Sequence, residues 1–161
     1  MILLLSQGPQ VMMGYLDNPK ATIECLSESG WLKTGDVAYY DDEGFFFITD
    51  RMKEMIKVRG FQVAPAELEA LLLTHEHVQD VAVIGVPDEE AGEAIRAYVV
   101  LHNNDAAAKV TEEEICKWVE EQVAPYKRLK GGVVFRNEVP KSASGKILRR
   151  LLRDEVANES K

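Results

Sequence analysis

Cysteine and histidine are scarce in this 161-residue chain, which has two Cys and three His. Cys25 and Cys116 lie far apart and form neither a disulfide framework nor a metal- or redox-spaced pair, so the expectation is two solitary buried thiols in a reducing compartment. His75 and His77 flank Glu76 with no further ligand types close by. That pattern reads as solvated surface rather than a zinc site, and no metal ligands are assigned. Long apolar runs are missing too. No stretch approaches the ~20 residues needed to span a bilayer. The opening Met1-Ile2-Leu3-Leu4-Leu5 is too short for the apolar region of a signal peptide and has no basic residue before it. What is present is a soluble globular profile, 46% hydrophobic and 29% charged, in a chain long enough for one ordinary domain or for one small domain and a piece of another.

Charge is unevenly placed. Residues 1–124 carry 9 Lys and Arg against 23 Asp and Glu, whereas residues 125–153 carry 9 against Glu138 alone. A basic segment on an acidic chain suggests a local anionic ligand rather than general affinity for polyanions. A nucleic-acid patch is disfavoured by the surrounding acidity and by the lack of interleaved aromatics.

Along the chain, residues 1–30 offer only turn signals at Gly8-Pro9 and Asn18-Pro19 and a short helix opened by Pro19. Val37–Tyr40 and Phe45–Thr49 read as a hairpin around Asp41–Gly44, and Met55–Val58 with Phe61–Val63 as a tighter one around Arg59-Gly60. Pro65 opens a helix over Ala66–Thr74 with Leu68, Leu71 and Leu72 at helical spacing. Val78–Val86 and Ala94–Leu101 are core strands, and Asn103–Lys109 is a polar loop. Thr111 and Glu114 form a capping box for a helix to about Val123, which Pro125 stops. A strand at Gly132–Phe135 and a helix over Ile147–Val156 complete the order. That last helix is expected to turn Leu148, Leu151 and Leu152 inward and Arg149, Arg150 and Arg153 outward.

The fold class expected is α+β: a small domain of three helices against a small β-sheet with a two-stranded hairpin. The boundary is placed at residues 51/52. Residues 1–51 hold too few apolar residues for a core of their own and read as the edge of an incomplete larger domain; residues 52–161 form the small domain.

Three stretches carry chemistry. Pro140-Lys141-Ser142-Ala143-Ser144-Gly145-Lys146 is a pliable loop whose backbone N–H groups could face phosphate oxygens, with Lys146 as a point charge on a long stem. It is not a P-loop, which would need Gly at position 140 and Ser or Thr at position 147. Thr34-Gly35-Asp36 sets a carboxylate where it could accept bonds from both hydroxyls of a ribose. Asp50-Arg51 through Arg59-Gly60 is a charged segment at the junction of the two parts.

Taken together with Val123-Ala124-Pro125-Tyr126-Lys127, these stretches resemble, in order and spacing, the adenylate-forming (AMP-binding) superfamily in its acyl-CoA synthetase, 4-coumarate–CoA ligase and firefly-luciferase branch. The resemblance runs over residues 8–153 and matches the C-terminal portion of such enzymes. It implies an ATP-dependent carboxylic acid–CoA ligase, in which acid and ATP form an acyl-adenylate and pyrophosphate and CoA then forms acyl-CoA and AMP. By position, Asp36 and Arg51 would bind the nucleotide, and Lys53 would sit at the hinge between two domains. Lys146 would be the adenylation lysine. Lys57 would serve the second half-reaction, with Gly60, Phe61 and Gln62 along the thioester face. ATP, Mg²⁺ and CoA are implied, with Mg²⁺ held mainly by an N-terminal domain that this chain lacks. The expected partners are that domain and a small carboxylic acid, and the chain alone is expected to be incomplete as an enzyme. A non-catalytic truncated isoform or interaction module, and a fragment of a luciferase-like monooxygenase, are the competing readings. The expected location is the cytosol. The ending Glu159-Ser160-Lys161, one residue short of a Ser-Lys-Leu address, keeps the peroxisome as the alternative.

Overall fold

The structure is a computed structural model that describes residues 2–104 and 107–159. The middle of the polar loop at 103–109 and the Ser160-Lys161 ending lie outside the described residues. The chain divides between Lys53 and Glu54 into two compact units.

The first unit is a three-stranded antiparallel sheet in the order β1-β2-β3, with β1 at Ile2–Ser6, β2 at Leu32–Tyr40 and β3 at Phe46–Arg51. Helix α1, Pro19–Cys25, starts at an Asn18 cap whose side chain accepts from the Ala21 N–H. The strand β1 was not expected: its run of Leu shows no alternation, and it becomes a strand only by pairing with β2. In that pairing Leu3 faces Val37 and Leu5 faces Lys33, so Thr34-Gly35-Asp36 bulges opposite Leu4. Gly35 takes the positive φ of 77° that such a bulge uses, and Thr34 ties it to the Leu4 carbonyl at 2.9 Å.

The second unit is α+β, as expected. Strands β4 (Ile56–Val58) and β5 (Phe61–Val63) form the tight hairpin. Helix α2 runs Pro65–Leu72, β6 Val78–Asp88 and β7 Gly92–Leu101. Helix α3 covers Glu112–Glu120 behind the Thr111–Glu114 capping box, β8 covers Val133–Phe135 and α4 covers Arg149–Glu159. The sheet order is β5-β4-β7-β6, with β8 parallel to β7 and the other pairs antiparallel.

Both faces of this sheet are covered, which is why β6 and β7 read as nearly continuous apolar runs. Val81 and Val83 of β6 point with Ile56, Ile95, Ala97 and Val99 into the layer formed by Leu68, Leu72, Ile115 and Val119 of α2 and α3. Their neighbours Ala82, Ile84 and Val86 point with Tyr98 and Val100 to the other face, against Leu152 and Val156 of α4. Strand alternation thus feeds two separate cores.

Two sequence expectations about α4 need correction. The helix starts at Arg149, because Ile147 bridges Lys141 and the Leu148 N–H donates to the Pro140 carbonyl at 2.8 Å. These two residues close the preceding loop instead. The inward stripe is Arg149, Leu152 and Val156, while Leu148 and Leu151 stay exposed. Arg149 therefore faces in, not out, and Arg153 is half-buried against Glu54. The two thiols also differ from expectation, since Cys25 and Cys116 are free and only half-buried.

Candidate functional site

Asp36 and Arg51 come together in the first unit. They face each other across β2 and β3, and the Arg51 Nε donates to Asp36 Oδ1 at 3.0 Å. The Asp36 N–H is held by the Thr34 hydroxyl at 3.0 Å. Asp50 accepts from the Arg51 N–H at 2.7 Å, which fixes the backbone from which the guanidinium extends. Both side chains are half-buried. A carboxylate with a guanidinium beside it, at a bulge, can accept hydroxyls and receive an anion side by side. Lys53 follows in a single 3-10 turn, Met52–Glu54, and is exposed.

Lys57, Gly60, Phe61 and Gln62 all lie on the β4–β5 hairpin. Its two-residue loop has Arg59 at φ 49° and Gly60 at φ 84°, the pair of positive values that a type I′ turn requires. Nothing lies within 4 Å of where a Gly60 Cβ would stand, so glycine is needed there for its backbone and not for space. The tip is tied down by the Arg59 N–H to the Ala91 carbonyl at 2.8 Å and by the Arg59–Glu90 ion pair at 3.1 Å. Lys57 pairs with Gln62 across the hairpin, and its N–H donates to Glu93 at 2.6 Å. Its ammonium extends into solvent and meets no partner among the described residues. Phe61 stacks on Tyr126 with ring centroids 4.5 Å apart. These two rings and Arg59, Arg128 and Lys130 line a cleft of about 350 Å³ beside β7. Neither Lys57 nor Lys146 is among its lining residues.

Lys146 is carried on a loop that is closed on itself. Lys141 and Ile147 bridge, the Ser142 N–H donates to the Lys146 carbonyl at 2.8 Å, and the Gly145 N–H returns to the Ser142 carbonyl at 2.9 Å. The Lys146 N–H is held by the Ser142 hydroxyl at 3.2 Å. Gly145, at φ 80°, turns the chain so that Lys146 leaves the tip. The lysine is exposed, and among the described residues no carboxylate reaches its ammonium.

That freedom is unusual for this stretch. Of the nine cations in 125–153, six are ion-paired within the unit: Lys127 with Glu67, Arg128 with Glu120, Arg136 with Glu155, Lys141 with Asp80, Arg149 with Glu69 and Arg153 with Glu54. The basic stretch is therefore mostly neutralised by acids from other elements. Lys146 is one of the few charges of the stretch without an ion pair among the described residues. Sequence reasoning missed the partners of these residues and their neighbours, namely Glu93 on the Lys57 N–H, Ala91 on the Arg59 N–H, Tyr126 on Phe61 and Glu69 on Arg149. Tyr126 lay inside a quoted motif, but only a fold could show that it faces Phe61.

No group of three or more His, Cys, Asp and Glu side chains among the described residues is arranged to hold a metal ion. No helix of the described residues is long and apolar enough to cross a membrane.

Comparison with known proteins agrees with this layout. The family model for the AMP-binding enzyme C-terminal domain matches residues 67–146. The 4-coumarate–CoA ligase-like 1 of Arabidopsis thaliana is 54% identical over 151 residues, 94% of this chain and 27% of that protein. The luciferin 4-monooxygenase of Luciola mingrelica is 49% identical over 148 residues, 92% of this chain and 26% of that protein. Among solved structures, ATP-bound MatB from Rhodopseudomonas palustris superposes with a TM-score of 0.86 at 31% identity, over 96% of this chain and 30% of that one. The chain belongs to the adenylate-forming, AMP-binding enzymes and corresponds to their C-terminal portion. It spans about 26–30% of the length of the proteins it matches.

Proposed function

We propose that this chain is the C-terminal part of an ATP-dependent carboxylic acid–CoA ligase and completes the reaction only with a large N-terminal domain. The observation that carries this reading is the pair of exposed lysines, Lys57 and Lys146, whose ammonium groups meet no partner among the described residues and which are held on two separately anchored loops of one unit. A two-step reaction with two charge-developing transition states uses one cation for each. In the first step a carboxylate oxygen of the acid attacks the α-phosphorus of ATP, and pyrophosphate leaves with the electrons of the broken P–O bond. Lys146 offsets the charge that builds on the phosphoryl oxygens. Asp36 accepts the ribose hydroxyls and Arg51 holds the nucleotide beside it. In the second step the CoA thiol gives up its proton to solvent, its sulfur attacks the acyl carbon, and AMP departs with the electrons of the broken acyl C–O bond. Lys57 serves that step, with Gly60, Phe61 and Gln62 forming the wall along which the thiol arm approaches. Lys53 is the hinge between the two arrangements.

Residues 1–51 are, on this reading, the margin of the large domain and 52–161 the mobile one. Mg²⁺ is assigned to the large domain on the family resemblance, and no step here runs through it. The partners are the large domain and a small carboxylic acid. The protein works in the cytosol, with the peroxisome as the alternative. The ligase is preferred over a luciferase-like oxidation because CoA ligases recur among the relatives, as with the Arabidopsis protein at 54% identity against 49% for the luciferin 4-monooxygenase.

The test is a hybrid in which this chain replaces the matching portion of the Arabidopsis relative. Lys146→Ala is expected to lower adenylate formation by ~10²–10³-fold, the scale of one lost transition-state partner, while thioester formation from supplied acyl-adenylate persists. Lys57→Ala is expected to do the reverse. Equal loss of both half-reactions in either variant overturns the roles, and a folded but inactive hybrid overturns the ligase reading.

A further inference from the structure

We infer that Glu69 and Arg149 form the positioning element for Lys146, clamping the loop that bears it onto the open edge of β6. The anchoring stands on geometry alone, and its catalytic consequence rests on the ligase reading above.

Glu69 is the one buried charged residue among the described residues, 7% exposed. It lies on the inward side of α2 with Pro65, Leu68 and Leu72. Arg149 opens α4, three residues after Lys146, and its Nη2 donates to both Glu69 oxygens at 2.9 and 2.7 Å. The two side chains are 12% and 10% exposed. Both also bond one backbone residue of β6: the Val83 N–H donates to Glu69 Oε1 at 2.9 Å, and the Arg149 Nε donates to the Val83 carbonyl at 3.3 Å. β6 ends the sheet order, so the outward N–H and carbonyl of Val83 have no neighbouring strand. The ion pair occupies the place of that strand and joins helices from opposite faces of the sheet, α2 and α4, around its edge.

The other foot of the loop is held on the same strand. Lys141 Nζ reaches Asp80 at 2.6 Å, but those side chains are 37% and 30% exposed, so salt and solvent screen that contact. The buried pair is different: in a low dielectric the geometry is directional, and losing one partner strands a charge. Between the two feet the loop's hydrogen bonds among the described residues stay within the loop, and Ile147 packs against the core under α4. Its tip is therefore placed by these feet together with Ile147, and the firm charged foot is Arg149. A lysine on a long stem needs such a base to sit within reach of a phosphoryl oxygen without reordering at each turnover.

Amide hydrogen exchange on the 161-residue chain tests the anchor. Glu69→Gln removes the charge at constant shape, and Arg149→Lys keeps the charge but loses the fork. In both, the amides of Gly145, Lys146 and Leu148 are expected to exchange about tenfold faster or more, while β7 amides keep wild-type protection. If Glu69→Gln exposes β7 as well, that variant has lost the fold and Arg149→Lys decides. In the hybrid ligase the same substitutions are expected to lower kcat of adenylation about tenfold with little change in the KM for ATP. Thioester formation from supplied acyl-adenylate should be unchanged. Unaltered loop exchange in Arg149→Lys overturns the anchor; equal loss in both half-reactions overturns the positioning role and leaves only a structural one. An inactive wild-type hybrid sinks the ligase reading instead, and the exchange result still decides the anchor.

Discussion

The two units of this chain treat apolar residues in opposite ways. In Glu54–Lys161 the sheet is covered on both faces, and Ile84, Ile95, Ile115 and Leu152 are each at most 1% exposed. In Met1–Lys53 the buried apolar residues among those described are Val37 and Ala38. Phe46, Phe47 and Ile48 follow one another along β3 at 61%, 43% and 62% exposure. Successive residues of a strand point to opposite faces, so both faces are open along this part of β3. Tyr39 stacks on Phe47 at 5.0 Å and Tyr40 leans on Phe46 at 6.1 Å, which orders the rings without burying them. A three-stranded sheet that buries so little has scant means to offset the conformational entropy of its own ordering. Secondary structure and stability are thus separable: one unit has hydrogen-bonded strands without a core, the other has strands because it has two.

The largest expected effect comes from separating the two. Cut between Lys53 and Glu54, the second piece should give dispersed amide resonances and a cooperative melt, while the first should lose its strands or aggregate. A cooperative melt of the first piece alone would break the contrast. Next come single side chains. Leu152→Ala should destabilise the second unit by about 2–5 kcal/mol through a cavity under α4, measured by urea unfolding. Phe46→Ser, on the open sheet, should leave that transition unmoved and raise solubility.

The smallest expected effect concerns the second unit's rim. Burial against the edge of Trp118, 4.8 Å away, and the neighbouring His77 lower the pKa of His75 below its ordinary 6.5, with Glu76 opposing. Below 6.5 the unfolded chain therefore binds more protons at this site than the folded one. The contribution to stability is fully present above 6.5 and is lost as pH falls through 6.5 toward the lower folded value. Urea midpoints at pH 7.5 and 5.5 should differ less in His75→Gln than in the parent chain, and an unchanged difference would remove His75 from the account.

By itself, the amino-acid sequence determined the elements with a local cause. The capping box at Thr111–Glu114, the Arg59-Gly60 turn, the Pro65 helix start and the apolar runs of β6 and β7 are written in neighbouring residues, and each is found where expected. The family resemblance that the spaced motifs carry also marked Asp36, Arg51, Lys57 and Lys146 as the residues to watch. Only the tertiary structure decided what long-range pairing controls. β1 exists because β2 lies beside it. Arg149 turns inward because Glu69, 80 residues earlier, waits at the edge of β6. Most of the basic stretch is neutral in effect because its acids come from distant elements. Helical periodicity names a stripe but not its partner, and charge composition counts ions without saying which of them meet. Those choices are made by contacts across the fold, where burial raises the strength of a few pairings and solvent leaves Lys146 free.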